Sequence, residues 1–555
     1  MFRALTPFGR LVVIATVLAV AGSLFLVLKP EGGTPAQRFE VGDRTFDSND
    51  PIERACALPE RELLRIWRGH DPAHSEDITI VPQPPNYSGS FGTTSHSGPW
   101  DYVQTVPLVL YGPGIIRTAG QIEDDANITD VYPTAGKLSG VDLPARDGRV
   151  LDEALVEDAS PRLIVTVMWD GVGRNVLERW SGRWPNLARL EREGTSYVRA
   201  TVGSSPSITP ATHASLGTGT YPRRHGVTAI EMRRPDGSMK TAFAGKNPAD
   251  LKLTTFADEI DRALDNAPKV GMLAWKSWHM GMMGHGAATP GGDRDELAII
   301  SSSIVSNTSL YALPGYMVGR PGPEERAEEL DIEDGEADSE WRGHPILEDH
   351  DNPAWVRYET DLLLEMLERG GYGDDETVDL FFTNYKPTDI VGHRYNINSE
   401  EMGDVLQAQD EALGHLVDWL DDNVKDYVVV VSSDHGNTVP AEDSGGWPLL
   451  QGQLQLDVND HFNVDDGRSL ITQTTAVGPF LDHATMKETG VTAEEIARYL
   501  NSYTIGENWA EPELPEGYED RADEPILSAA FPSKDLPKVM RCAFGKPAPP
   551  DDLWG

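Results

Sequence analysis

The stretch "RLIVTVMWDGVG" (residues 162–173) decides the fold. Its apolar run does not alternate, so both faces of the strand it forms must be covered. That is the situation of a strand inside a parallel sheet with helices on either side. The run stops abruptly at Asp170-Gly171. Two further stretches behave the same way. "DYVVVVSSDHGN" (426–437) ends at Asp434-His435-Gly436, and "TVDLFFTNY" (377–385) leads into "KPTDIVGHR", which carries Asp389 and His393. Helical patterns lie between and beside them, at 186–194, 355–371, 400–424 and 492–503. The expected class is therefore α/β, a central and mostly parallel sheet sandwiched by helices.

Ligands of open α/β sheets bind at the carboxyl ends of the strands. All three acid and histidine sets fall there. Asp389 and His393 are four apart, so one helical turn presents both on one side. Mixed aspartate and histidine donors suit zinc or a similar divalent ion. A single aspartate after a strand is commonly only a turn residue; the coincidence of three sets is what points to metal. A nucleophile is offered by "GSSPSITPATHASLGTGTYPRRHGV" (203–227), dense in hydroxyls, Gly and Pro. It reads either as a plain turn before a helix or as a hydroxyl held at a helix N-terminus, where an anion is favoured and a metal ion activates it.

In these motifs the chain resembles the alkaline phosphatase superfamily, in its branch of type I phosphodiesterases, nucleotide pyrophosphatases and threonine-nucleophile phosphatases. The matching stretches are "VTVMWDGVG", "WPNLARLEREGTSY", "TPATHASLGTGTYPRRHGV", "KPTDIVGHR", "VVVVSSDHGN" and "TTSHSGPWDYVQTVPLVLYGPG", together reaching from about 80 to 440. The resemblance implies an alkaline phosphatase-like fold and two divalent metal ions, Zn2+ in the family. Asp170, Thr209, Asp434 and His435 would hold one; Asp389 and His393 would hold the other with one more histidine. Thr209, four residues before His213, is the implied nucleophile, with Ser207 as the fallback. The family's last histidine usually follows the Asp-His-Gly motif and precedes a "VPLIVYGPG"-type strand. His461 and His483 lie downstream, but neither is followed by such a strand. The matching block stands upstream instead, at about 77–155. A circular permutation accounts for this order and makes His96 the remaining ligand.

Two departures leave the substrate open. No Asn follows "HGV", where the diesterases carry one, and "LAWKSWHMG" (273–281) offers Lys276 for substrate binding but Trp278 in place of the monoesterase Arg. The implied function is a phosphohydrolase for diester, nucleotide or monoester substrates acting through a phosphothreonine, with a lean toward diesters or nucleotides. The alternatives are a membrane-anchored transferase acting on envelope lipids or glycans, and a non-catalytic metal-binding homologue. Neither cysteine lies near the nucleophile segment, which argues against a sulfatase.

The 555 residues carry a net charge of −42, spread along the chain. Such a surface repels nucleic acid and anionic membrane; the partner that the resemblance implies is a small phosphate ester. Arg3 and Arg10 precede the uncharged "LVVIATVLAVAGSLFLVL" (11–28). As a helix this stretch spans about 27 Å, enough for a membrane anchor with the N-terminus inside; a cleaved signal is the other reading. Either puts the rest of the chain outside the cytoplasm. There Cys56 and Cys542, one near each end, are expected to form a bridge rather than to remain two unrelated thiols. The expected organisation is a cytoplasmic tail (1–10), the anchor or signal (11–28), a tether (29–59), a single catalytic domain (60–545) and a tail (546–555). Within the domain lie the permuted block (77–155), the core with the metal motifs (162–440) and an exposed acidic insertion (320–352). The segment from 505 is expected to wrap the surface. Oligomeric state is not legible.

Overall fold

Residues 48–544 are described by a computed structural model, apart from 334, 336 and 466. The expected N-terminal tail, the apolar stretch 11–28, most of the tether and the tail 546–555 lie outside the described residues. Among the described residues no helix is long and apolar enough to cross a membrane.

The strands that build the fold are β1 (Ile78–Pro82), β2 (Leu108–Tyr111), β3 (Gly120–Ile122), β4 (Leu163–Trp169), β5 (Thr195–Tyr197), β6 (Val270–Ala274), β7 (Glu296–Ile299), β8 (Asp379–Tyr385), β9 (Tyr427–Ser432) and β10 (Leu527–Pro532). All but β1 and β10 join one eight-stranded sheet in the order β7-β6-β8-β4-β9-β2-β5-β3. The strands from β7 to β9 run parallel. β2 then runs antiparallel to both β9 and β5, making the sheet mixed.

The main helices are α1 (Pro51–Cys56), α2 (Glu60–Gly69), α3 (Val131–Leu138), α4 (Pro185–Glu193), α5 (Thr209–Thr218), α6 (Phe256–Ala263), α7 (Glu324–Glu333), α8 (Pro353–Gly370), α9 (Pro387–Tyr395), α10 (Glu400–Asn423), α11 (Ala493–Leu500) and α12 (Leu536–Phe544). Side chains alternate across β4. Leu163, Val165, Val167 and Trp169 pack with α4, α8 and α10, while Ile164 and Met168 pack with α3, α5 and α6. This explains the continuous apolar run: both faces are core. Local chemistry sets the helix ends. Ser399 caps the start of α10 by accepting from the Met402 amide. Thr492 and Glu495 close a capping box on α11. α8 stops at Gly371, whose φ of 66° needs glycine.

Three expectations change. The tether was expected to run to residue 59, but α1 is already folded. Asp50 caps it, and the buried Arg54 guanidinium donates to the carbonyls of Ser528 (3.1 Å), Leu527 (2.6 Å) and Asn501. A buried cation is tolerable only with such partners. The segment from 505 does not simply wrap the surface. It supplies β10, buried throughout, which pairs antiparallel with β1 (Ile78↔Pro532), and then α12. The acidic insertion is not a loose loop either: Ala327 and Leu330 of α7, with Trp341 and Ile346, are buried in the core that includes α8. Spaced apolar residues among many acids were enough to dock it.

The two ends of the described segment meet. Apolar residues of α1, α2, β1, β10 and α12 form one cluster that includes Ala55, Trp67, Val81, Phe531 and Val539. Beside it Cys56 and Cys542 are bonded, with Cα atoms 6.0 Å apart. The bridge closes a loop of 486 residues, which restricts the unfolded chain far more than the folded one. Replacing Cys56 by Ser is expected to cost about 2–5 kcal/mol. A fall in the urea midpoint with a steeper slope, because the unbridged unfolded chain exposes more surface, checks it.

Candidate metal centre

The parallel register aligns the carboxyl ends of β4, β8 and β9: Trp169 is level with Tyr385, and Met168 with Ser432. Asp170 leaves the end of β4, Asp389 sits in the first turn of α9 just after β8, and Asp434 and His435 follow β9. Their backbones pack too closely for side chains. Gly171 has a φ of 75°, and its amide donates to Asp434 Oδ1 at 3.0 Å. A Cβ on Gly173 would stand 2.3 Å from the Cα of Gly436. The glycines that punctuate the strand ends in the sequence are what let the carboxylates converge.

His96 arrives from the other side. Its loop is tied to three elements of the site. Thr94 Oγ1 donates to the Gly392 carbonyl on α9 at 2.8 Å, and the Ser95 amide donates to Thr438 Oγ1 beyond β9 at 2.9 Å. Ser207, just before α5, donates its hydroxyl to the His96 carbonyl at 2.7 Å, and its own carbonyl accepts from His96 Nδ1 at 2.8 Å. With Nδ1 protonated, Nε2 keeps its lone pair and faces Asp389 Oδ1 at 3.8 Å. The ring stacks on His435 at 3.6 Å between centroids and lies 5.1 Å from His393. His435 is oriented likewise. Its Nδ1 is 3.1 Å from the Gly436 carbonyl, and its Nε2 is 3.3 Å from Asp434 Oδ2 and 3.7 Å from both Asp170 Oδ1 and Asp389 Oδ1. His393 Nε2 reaches Asp389 Oδ1 at 3.4 Å from the exposed edge of the cluster.

The expected ligand residues are thus brought together, though His435 lies between the two groups rather than in one. Donor atoms within 4.8 Å of one another include His96, Asp389 and His435, and also Asp170, Asp434 and His435. His461 instead stacks on Tyr499 at 4.0 Å, and His483 bonds Asp77 at 3.0 Å, both away from these residues. Thr209 is the first residue of α5 and is buried, as is Ser207, whose hydroxyl is taken by His96. Lys276 is exposed. Burial of its stem and the charge of Lys386 lower its pKa, and Asp389 opposes this, which places it at the rim.

Lys386 escaped the sequence reading. Its ammonium is buried amid the carboxylates, 3.0 Å from Asp170 Oδ1, 2.7 Å from Asp389 Oδ2 and 3.4 Å from Thr209 Oγ1. The signal was present: a lysine directly after the strand "DLFFTNY", before Pro-Thr-Asp. Asn384, His279 and His213 form a supporting layer. Asn384 Nδ2 donates to Asp170 Oδ2 at 3.2 Å, and His279 Nε2 lies 3.4 Å from the same oxygen. His213 has both ring nitrogens engaged, with the Thr209 carbonyl and Asn384 Oδ1, each at 2.7 Å. This set positions Asp170.

Electrostatics divide the carboxylates. Burial pushes Asp170 up, but the Lys386 ammonium and the contact with His279 together outweigh it and hold the carboxyl low. Asp434 lacks those contacts, and burial plus repulsion from Asp170 raise it well above the usual range. Burial brings His435 down to about 4 and keeps His96 neutral as well. Three carboxylates therefore face one ammonium. Asp389 Oδ1, Asp434 Oδ2 and His435 Nε2 are buried with no hydrogen-bond partner. Unpaired acceptors converging in a buried site are costly, and divalent cations remove that cost. The donors fit zinc or a similar ion.

Lys386→Met should destabilise chelator-treated protein by about 3–5 kcal/mol, the usual cost of stripping one partner from a buried ion pair. The loss should be smaller in metal-loaded protein, because bound cations also neutralise Asp170 and Asp389. Urea unfolding with and without chelator checks it.

The family model described as type I phosphodiesterase / nucleotide pyrophosphatase matches residues 164–523. The alkaline phosphatase PhoV of Synechococcus elongatus is 24% identical over 365 residues, covering 54% of this chain and 64% of that protein. The alkaline phosphatase PhoD of Zymomonas mobilis is 21% identical over 309 residues, covering 50% and 53%. The alkaline phosphatase PafA of Elizabethkingia meningoseptica is 22% identical over 329 residues, covering 50% and 60%. The chain thus spans between half and two thirds of these curated relatives. The crystal structure of wild type alkaline phosphatase PafA superposes with a TM-score of 0.47 at 16% identity, covering 67% of this chain and 84% of that one. With well over half of its length inside the family model, the chain belongs to the type I phosphodiesterase / nucleotide pyrophosphatase family.

Proposed function

We propose that this protein is a metal-dependent phosphoesterase that works outside the cytoplasm, with Thr209 as its nucleophile. The observation that carries the reading is the set of buried, unpartnered donor atoms (Asp389 Oδ1, Asp434 Oδ2, His435 Nε2) beside the Thr209 hydroxyl. Asp170, Thr209, Asp434 and His435 would hold one divalent ion, and Asp389, His393 and His96 the other, zinc being the ion the donors suit best. When bound, the two ions supply Lewis acidity to the phosphoryl group and to the oxygens entering and leaving it.

The chain's own groups do the rest. The N-terminus of α5 and the Lys386 ammonium both favour negative charge at Thr209 Oγ1. That oxygen attacks phosphorus in line as the bond to the ester oxygen breaks, which leaves a phosphothreonine. Water then attacks the same phosphorus, releasing phosphate and restoring the threonine. His96 and His435 stay neutral because burial disfavours their cations, so they act as donors of lone pairs and not as acids. Lys276 brings positive charge to the rim, which suits the dianion of a phosphate monoester better than a diester. The relatives' description as alkaline phosphatases supports the same preference.

We also infer that residues 77–155 are the family's C-terminal block moved to the front. Three observations support it: β2 pairs with β9, His96 faces Asp389, and the family match begins only at Ile164 in β4. On this reading, a chain joined from residue 544 to 48 and reopened in the exposed stretch 156–158 restores the ancestral order. It should fold and keep its metal content; an unfolded product argues against the inference. The location outside the cytoplasm rests on the bridge and on the apolar stretch 11–28, which also supplies the proposed membrane attachment. Protease added to intact cells should digest the body of the protein.

Thr209→Ala should lower turnover of p-nitrophenyl phosphate by at least about 10³-fold with the metal content kept. Ser207→Ala should lose far less, through looser orientation of His96. Full activity in Thr209→Ala would overturn the nucleophile assignment. Bis-p-nitrophenyl phosphate should be the poorer substrate; the opposite ranking makes the protein a diesterase. His96→Ala should lower bound zinc per chain, measured by elemental analysis after dialysis.

A further inference from the structure

At the other end of the sheet lies a second group of carboxylates. Asp261 projects from α6, and Asp293 and Asp295 come from the loop that enters β7. Oxygens of all three lie within 4.8 Å of one another. Asp261 and Asp295 are only 4% and 7% exposed, whereas Asp293 faces solvent. Asp261 Oδ1 is buried and has no hydrogen-bond partner. Among the described residues no Lys, Arg or His nitrogen stands within ion-pair range of any of the three. Neighbouring groups are already engaged. Arg262 pairs with Glu259, and His285 pairs with Asp258 at 2.9 Å. Asp258 is also bonded by the Thr255 and His285 amides, each at 2.8 Å.

Chain direction keeps this group apart from the candidate catalytic site. β7 is parallel to β6, and β6 to β8, so Asp295 lies at the amino edge of the sheet. The metal-ligating residues lie at the carboxyl edge, about 20 Å away along a seven-residue strand such as β8.

We propose that Asp261, Asp293 and Asp295 form a structural site for a hard divalent cation, Ca2+. The donors are all carboxylate oxygens, with no imidazole or thiolate, which selects Ca2+ over zinc. Their converging charges have no protein counter-ion, and one donor oxygen is buried without a partner. A buried carboxylate in that state must bind a proton or a cation. Burial, then repulsion from Asp293 and Asp258, pushes the Asp261 carboxyl up to about 7, and Asp295 rises well above its usual range. Both shifts show what cation binding would relieve. The ion would tie α6 to the loop before the edge strand β7. It would stabilise the fold without taking part in phosphoryl transfer.

The test uses the full zinc-loaded protein. Calorimetric titration with CaCl2 alone should show one binding event beyond the zinc sites. Millimolar Ca2+ should raise the melting temperature by several degrees, as expected for a ligand that binds only the folded state. Asp261→Asn and the exposed Asp293→Asn should each abolish both responses and leave zinc content and phosphatase activity unchanged. Asp261→Asn should also melt higher than wild type in chelator for calcium, because it removes a buried unpaired charge. If wild type binds no Ca2+, or if both variants bind it as wild type does, the proposal is wrong. It is equally wrong if acidification stabilises wild type while Ca2+ does nothing, because the carboxylates then share a proton.

Discussion

The structure depends on one electrostatic constraint. Asp170, Asp389 and Asp434 are buried together with, among the described residues, one ammonium, that of Lys386, between them. Like charges at such distances repel strongly in a low-dielectric interior. The fold accepts this only because rigid elements hold each group: three parallel strands in register, a helix turn, and glycines that permit close backbone approach. A cleft strained in this way holds the donors of the candidate metal centre close together without an ion.

Around that constraint the neutral groups are arranged by backbone hydrogen bonds. His96 and His435 each direct Nδ1 to a carbonyl and Nε2 toward the carboxylates. Asn384 and His279 hold the far oxygen of Asp170, and His213 fixes Asn384. Ser207 and Thr209, two residues apart, have different tasks: one hydroxyl binds the His96 loop, and the other faces Lys386. A sequence shows both as hydroxyls at a helix start. Only the contacts separate them.

The legible part of the fold was the part with regular apolar periodicity. β4, β8, β9, α8 and α10 stand where their patterns placed them. Less regular segments were misjudged for a physical reason. α1 and α7 carry few apolar residues and β10 is short, and their apolar residues are buried by partners far away in sequence: Phe531 with Ala55, Leu330 with the layer of α8. No local window contains such a partner. Lys386 was missed for the same reason, since a lysine at a strand end is ordinary until three carboxylates surround it.

By itself the sequence determined the α/β class, the strand ends that carry Asp170, Asp389, Asp434 and His435, and a hydroxyl-rich helix start within 203–227. These follow from local pattern: continuous apolar runs, glycine stops and residue spacing. The family resemblance implied that His96 joins the cluster; the tertiary structure alone decided how Ser207 orients it against Asp389 and His435, that Lys386 sits among the carboxylates, and that three aspartates gather at the opposite edge of the sheet. Those are matters of distance between segments remote in the chain. Charge and burial act through space, and the order of residues does not record them.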